Sequence, residues 1–319
     1  MPRAPRSRAA RAAPSLGGRG AAPGRRPGSP PGRARPGPPR RPGRSRGRRS
    51  GGRTRWPRRL PAGGPCPHRR RVQRDRADPR GRARASEHVA GLSSLLEELR
   101  SAERPTLLVL GEPPPRPGTV ALLSGSFDPP TVGHLALAEA VRAEADLVLL
   151  VYSARTLPKE PGTPPPLLAE EARVEAMRAL AGGRPWLRAA LCSHGLLADQ
   201  ARAAAERFPG ARLLLAMGSD KALQLLDPRW YEDRDRTLEE LFALAEVRYG
   251  VRAGDEGRVE AALAEPGNAR WRTRFRRVEL APGAALVSSR AVREDLREGR
   301  SVEGRVPPEV LRILERVLS

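Results

Sequence analysis

Apolar runs of five to seven residues alternate with helical stretches from residue 90 to the C-terminus. Thr119-Val120-Ala121-Leu122-Leu123 is the first strongly apolar run, and it predicts a buried strand. Gly125-Ser126-Phe127-Asp128-Pro129-Pro130-Thr131-Val132-Gly133-His134 follows it as a turn, and the Ala/Leu/Glu-rich run 135–145 reads as a helix. The same rhythm repeats downstream. Strands are expected at 146–152, 186–192, 212–217, 246–251 and near 277–280. Helices are expected at 168–181, 196–208, 221–226, 238–245 and 256–264, and after Ser289 and Pro307. Upstream, AGLSSLLEELR at 90–100 spaces its leucines as a helix does, and PTLLVL at 105–110 is a short strand expected to add an edge to the sheet. Apolar strands alternating with helices predict an α/β fold: a Rossmann-like doubly wound parallel sheet with helices on both faces. Its site is expected at the carboxyl ends of the strands.

Residues 1–84 lack this rhythm. They hold 27 arginines and two acids, whereas the remaining residues carry 32 basic and 34 acidic side chains. The net charge of +23 therefore belongs to the tail, and the folded part is close to neutral. Such an Arg/Pro/Gly-rich segment buries too little apolar surface to offset its ordering entropy, so disorder is expected over 1–84. A nucleic-acid-binding arm and an organellar transit peptide are two readings of it. A third, which the composition favours, is an upstream extension that is not translated in the cell. The expected division is thus a basic tail, 1–84, and one folded domain, 85–319, with its most strongly patterned core at 118–319.

Two cysteines, Cys66 and Cys192, cannot build a disulfide framework and lack metal-ligand spacing. No apolar run reaches the roughly 18 residues of a membrane span, and no signal-peptide stretch is visible. A soluble cytoplasmic protein is the expectation. Only two of the 59 basic residues are lysines, Lys159 and Lys221, and both fall beside motif positions.

Strand, glycine-containing turn and helix together bring backbone close to a phosphate and aim a helix N-terminus at it. GSFDPPTVGH resembles the G-x-F-D-P-x-[HT]-x-G-H signature of the nucleotidyltransferase superfamily, most closely that of the nicotinamide or nicotinate mononucleotide adenylyltransferases. Val287-Ser288-Ser289-Arg290-Ala291-Val292-Arg293, downstream, resembles the family's I-S-S-T-x-I-R, with Arg290 in place of the threonine. The resemblance covers roughly residues 118–319 and is most specific at its two ends.

The resemblance implies that ATP and a pyridine mononucleotide meet head to head, with Mg²⁺ accompanying ATP, to give the dinucleotide and pyrophosphate. It implies a catalytic role for His134, Thr131, Lys159 and Arg293. Phosphate and ATP contacts would come from Gly125, Ser126, Phe127, Gly133, Gly218, Asp220, Ser288 and Ser289. Trp186, Trp230 and Arg252 would hold the mononucleotide, and no protein side chains are expected to bind a resident metal. A homo-oligomer is compatible with the family. Two other readings stay open: a phosphopantetheine or cytidylyl transferase with the same nucleotide site, and a catalytically weak nucleotide binder whose basic arm takes nucleic acid.

Overall fold

The computed structural model describes residues 91–156 and 164–319, so the expectations for the basic tail and for Lys159 lie outside the described residues. Seven strands form one sheet in the order β1-β4-β3-β2-β5-β6-β7. They are β1 (Leu107–Leu110), β2 (Thr119–Ser124), β3 (Leu147–Ser153), β4 (Leu187–Cys192), β5 (Arg212–Gly218), β6 (Ala245–Gly250) and β7 (Phe275–Val278). All neighbours pair in parallel except β1, which runs antiparallel to β4 at the edge with Leu107 opposite Cys192.

The helices are α1 (91–101), α2 (Val132–Arg142), α3 (Glu170–Ala181), α4 (Leu197–Arg207), α5 (Ser219–Leu226), α6 (Arg234–Leu244), α7 (Arg258–Ala264), α8 (Ser289–Arg297) and α9 (Pro308–Leu318). Strand alternation sorts the core into two layers. Ala121, Leu123, Val148, Leu150 and Leu214 point to the face covered by α1, α2, α3, α8 and α9. Val120, Leu122, Leu147, Leu149 and Leu215 point to the face covered by α4 to α7. With both faces covered, the central strands carry no polar alternation, which is why they read as continuous apolar runs.

Apart from the antiparallel edge strand, the order is that of a doubly wound Rossmann-like sheet. Its direction of winding reverses between β2 and β5, and ligands bind at the carboxyl side of such a switch point. Three elements differ most from the sequence reading. α2 spans Val132–Arg142 and not 135–145, because Thr131 takes the N-cap position with its extended backbone. β7 begins at Phe275 because that ring packs against Phe242, with centroids 5.6 Å apart. α6 begins at Arg234 because the Asp233 carboxylate caps it, accepting from the Arg236 amide at 3.0 Å. Among the described residues no helix is long and apolar enough to cross a membrane.

Candidate active site

The turn after β2 is built tightly. The Gly125 amide donates to the Val151 carbonyl at 3.2 Å, and a Cβ on Gly125 would lie 3.2 Å from the Phe127 ring. Phe127 has a φ of 45°, a left-handed conformation that costs a non-glycine residue energy and persists only where the surroundings fix it. They do: its ring is buried and sits 5.2 Å from the His134 ring. The Asp128 carboxylate, 1% exposed, accepts from the Leu167 and Leu168 amides at 3.0 and 2.9 Å. Arg173 and Arg293 stand 4.0 and 3.7 Å from its oxygens.

Thr131 caps α2 and fixes the histidine. Its backbone N–H lies 3.0 Å from His134 Nδ1, and its hydroxyl lies 2.9 Å from the same atom. A backbone N–H can only donate, so Nδ1 accepts and the ring proton sits on Nε2. Nε2 has no hydrogen-bond partner among the described residues. Burial pushes the His134 pKa down to about 4, the Arg252 charge pushes the same way and Asp220 opposes them. The ring is thus a neutral Nε2–H donor near pH 7.

α8 docks against this turn. Ser288 caps the helix by accepting from the Ala291 amide at 3.2 Å, which leaves its own proton available. The Ser289 hydroxyl donates to the Pro129 carbonyl at 3.0 Å, and Arg293 donates to the Asp128 carbonyl at 2.8 Å. Gly133 lets the two motifs meet, since a Cβ there would be 2.9 Å from the Val287 carbonyl oxygen.

Across the switch point, β5 ends at Gly218. A Cβ at Gly218 would fall 2.5 Å from an Asp220 carboxylate oxygen and 2.9 Å from Arg252 Nε. Those two side chains pair with each other at 3.0 Å. Ser219 is fully buried; it donates to Asp255 at 2.9 Å and accepts from the Arg252 amide at 3.0 Å, tying α5 to the loop after β6.

Two adjoining cavities open here. One, of about 580 Å³, is lined by Gly133, His134, Gly218, Arg252, Ser288, Ser289 and Arg293. The other, of about 710 Å³, is lined by Tyr152, Ser153, Thr156, Gly195, Trp230 and Asp255 among others. Ser124, Gly125, Ser126, Asp220, Lys221 and Arg290 line both.

The structure thus brings most of the sequence-predicted residues together and places four of them differently from the expectation. Thr131 is 1% exposed and outside both linings, with its hydroxyl turned to His134 Nδ1. Phe127 likewise lies beneath the turn, its ring drawn inward by the positive φ. Arg252, expected with the mononucleotide, lies in the His134 cavity, where the Asp220 carboxylate holds it. Trp186 precedes β4, at the opposite end of the sheet; its carbonyl accepts from the Val148 amide at 2.8 Å and the Arg142 guanidinium sits 4.9 Å from its ring centroid. It takes no part in either cavity. Residues that sequence reasoning passed over are Asp128 and Tyr152; Lys221 and Arg290, noted there beside motif positions but given no role, form a wall shared by both cavities. For Asp128 the signal was present: an acid inside a turn proposed to meet phosphates needs a cation or amide partner of its own.

The cytidylyltransferase-like family model matches residues 122–294, more than half of the chain. The chain is similar to a probable nicotinate-nucleotide adenylyltransferase of Laribacter hongkongensis, 34% identical over 211 residues that cover 60% of this chain and 89% of the relative. It is also similar to proteins of the same description from Chromohalobacter salexigens, 29% identical over 62% of this chain and 94% of the relative, and from Chlorobium luteolum, 32% identical over 61% and 94%. A doubly wound sheet, the glycine turn with its histidine at the switch point, and these relatives agree: the chain belongs to the cytidylyltransferase-like nucleotidyltransferases, and among them to the nicotinamide/nicotinate mononucleotide adenylyltransferase family.

Proposed function

We infer that the protein joins ATP to nicotinate or nicotinamide mononucleotide, giving the dinucleotide and pyrophosphate. The carrying observation is the pair of cavities that meet at Gly125 and Ser126 on the switch point, one rich in phosphate-binding donors and the other walled by Tyr152 and Trp230. The first suits the triphosphate and adenosine. The second suits a pyridine ring, for which the 47%-exposed Trp230 offers a flat face; offset stacking adds about 0.5–1.5 kcal/mol.

As a nucleotidyltransferase the protein takes nucleotide substrates and works with a divalent metal. Among the described residues no three His, Cys, Asp or Glu side chains are grouped to hold an ion. Mg²⁺ fits as an ion carried by the triphosphate, and it is part of the substrate in this reading. The chain's own residues position phosphates and stabilise charge; no protein nucleophile is required. His134 donates from Nε2 to the ATP phosphates as charge builds on the leaving pyrophosphate. Arg293, held by the Asp128 carbonyl, and the free proton of Ser288 face the same cavity.

The test is pyrophosphate release by the full chain given ATP and Mg²⁺ with nicotinate mononucleotide, nicotinamide mononucleotide or phosphopantetheine, and by CTP with a phosphorylated alcohol. Turnover with a pyridine mononucleotide is expected. Release with phosphopantetheine or CTP alone moves the acceptor elsewhere, and silence in every arm from folded protein removes the reading.

A further inference from the structure

Two cations have no place in that account. Lys221 lies in the first turn of α5, and Arg290 lies in the first turn of α8 where the family motif has threonine. They come from helices 70 residues apart in the chain, yet both line the wall that the two cavities share. Among the described residues neither side chain has a hydrogen-bond or ion-pair partner. Arg252 and Arg293 differ in this respect, being held by Asp220 and Asp128 and lining one cavity only.

Lys221 is half-buried, and burial holds its pKa below the usual lysine value. Asp220, the carboxylate next to it in the chain, is already engaged by Arg252. The Asp220 charge opposes the effect of burial, but it is shared with Arg252, and a partly desolvated ammonium with no direct ion pair is stabilised when an anion completes it. Arg290 adds a planar fork suited to two phosphate oxygens, where Lys221 supplies a point charge.

We propose that Lys221 and Arg290 grip, from two sides, the phosphate that passes between the cavities: the α-phosphate of the donor nucleotide, and afterwards the diphosphate bridge of the product. The proposal rests on the function proposed above. An oxygen of the mononucleotide phosphate gives an electron pair to the α-phosphorus. The bond from that phosphorus to the oxygen bridging to the β-phosphate breaks, and its electron pair leaves with pyrophosphate. Total charge is conserved and no proton need move, so cations fixed at the crossing point stabilise the transfer directly. His134 and Arg293, which line one cavity, act on the departing side.

Two measurements on the full chain separate these roles: pyrophosphate release from ATP and nicotinate mononucleotide, and calorimetric binding of pyrophosphate and of the dinucleotide product. In Lys221→Met, kcat is expected to fall about a hundredfold, as for a lost transition-state donor. Dinucleotide affinity should fall about tenfold while pyrophosphate affinity stays within about twofold, because only the former crosses the shared wall. Lys221→Arg should recover part of both losses. Arg290→Thr, at an exposed position that does not endanger folding, should show the same pattern at about tenfold in kcat. Active wild type with Lys221→Met and Arg290→Thr at wild-type rates and dinucleotide affinity overturns the grip and leaves the function standing. Equal loss of both ligands overturns the placement at the crossing. An inactive wild type that binds no dinucleotide overturns both readings.

Discussion

The two ends of the sheet use arginine in opposite ways. At the amino end, Arg248, 3% exposed, lies between Glu144 and Glu246 at 2.8 and 3.0 Å. Arg212 pairs with Glu246 at 2.7 Å, Arg276 with Glu144 at 3.5 Å, and Arg142 rests on Trp186. These four cations are each matched by a carboxylate or a ring of the protein. At the carboxyl end the glycine turns, His134 Nε2, Lys221 and Arg290 are left facing the cavities. The same residue type is therefore structural or functional according to whether the fold supplies its counter-charge. An unmatched cation marks a place where a ligand is expected to supply it.

Asp128 crosses this division, because it is a buried carboxylate at the functional end, and its removal gives the largest expected effect. Asp128→Ala would orphan the Leu167 and Leu168 amides and leave Arg173 and Arg293 without their buried counter-charge. Breaking such a pair costs about 3–5 kcal/mol. Chemical denaturation should show that loss, with activity falling only as far as the folded fraction and the position of Arg293 fall. A stability change under about 1 kcal/mol would make Asp128 a ligand-facing acid instead.

His134 sharpens the comparison next. His134→Ala should lower kcat about a hundredfold or more, the scale of a lost transition-state donor; a near-normal rate takes His134 out of the mechanism. Acidification separates the two ends further. The folded pKa of His134, about 4, lies below its ordinary 6.5. The unfolded chain therefore binds a proton that the folded chain refuses, and stability declines as pH falls from about 6.5 towards about 4. At the amino end, hydrogen bonds from Arg248 and Arg212 hold Glu144 and Glu246 below the ordinary 4.5, so their contribution is complete above that value and is lost only as pH falls below it. Melting curves from pH 7 to 4.5 should thus fall less steeply in His134→Asn than in the wild type, with the two converging in slope below pH 4. Parallel curves across the upper window would contradict a neutral His134.

Local pattern made the fold legible because periodicity and burial coincide. Continuous apolar strands such as LVLLVYS at 147–153 are what a sheet covered on both faces requires. The antiparallel edge strand was legible as an extra strand, though not in its direction, which depends on pairing with distant β4. The site was legible where residues act through backbone and spacing: Gly125, Gly133, His134 and the α8 serines. It was not legible where direction decides. Nothing in GSFDPPTVGH says that Phe127 turns inward at a φ of 45°, or that Thr131 is spent on His134. Trp186 and Trp230 show the same limit, since one follows a proline and the other lies two residues beyond one, and only the sheet tells which end each occupies.

That pair supplies the smallest expected effect and the cleanest contrast. Trp230 is exposed on the wall of the larger cavity, whereas Trp186 is half-buried at the amino end under Arg142. Trp230→Leu removes a stacking face worth about 0.5–1.5 kcal/mol, so the KM for the pyridine mononucleotide should rise about three- to tenfold with kcat and melting temperature little changed. Trp186→Leu removes core packing and a cation–π contact far from both cavities. It should lower stability by about 1–2 kcal/mol and leave the KM for both substrates at the wild-type value. The reverse result, with KM moving in Trp186→Leu and only stability in Trp230→Leu, would place the acceptor at the amino end of the sheet and overturn the division between a structural and a functional end.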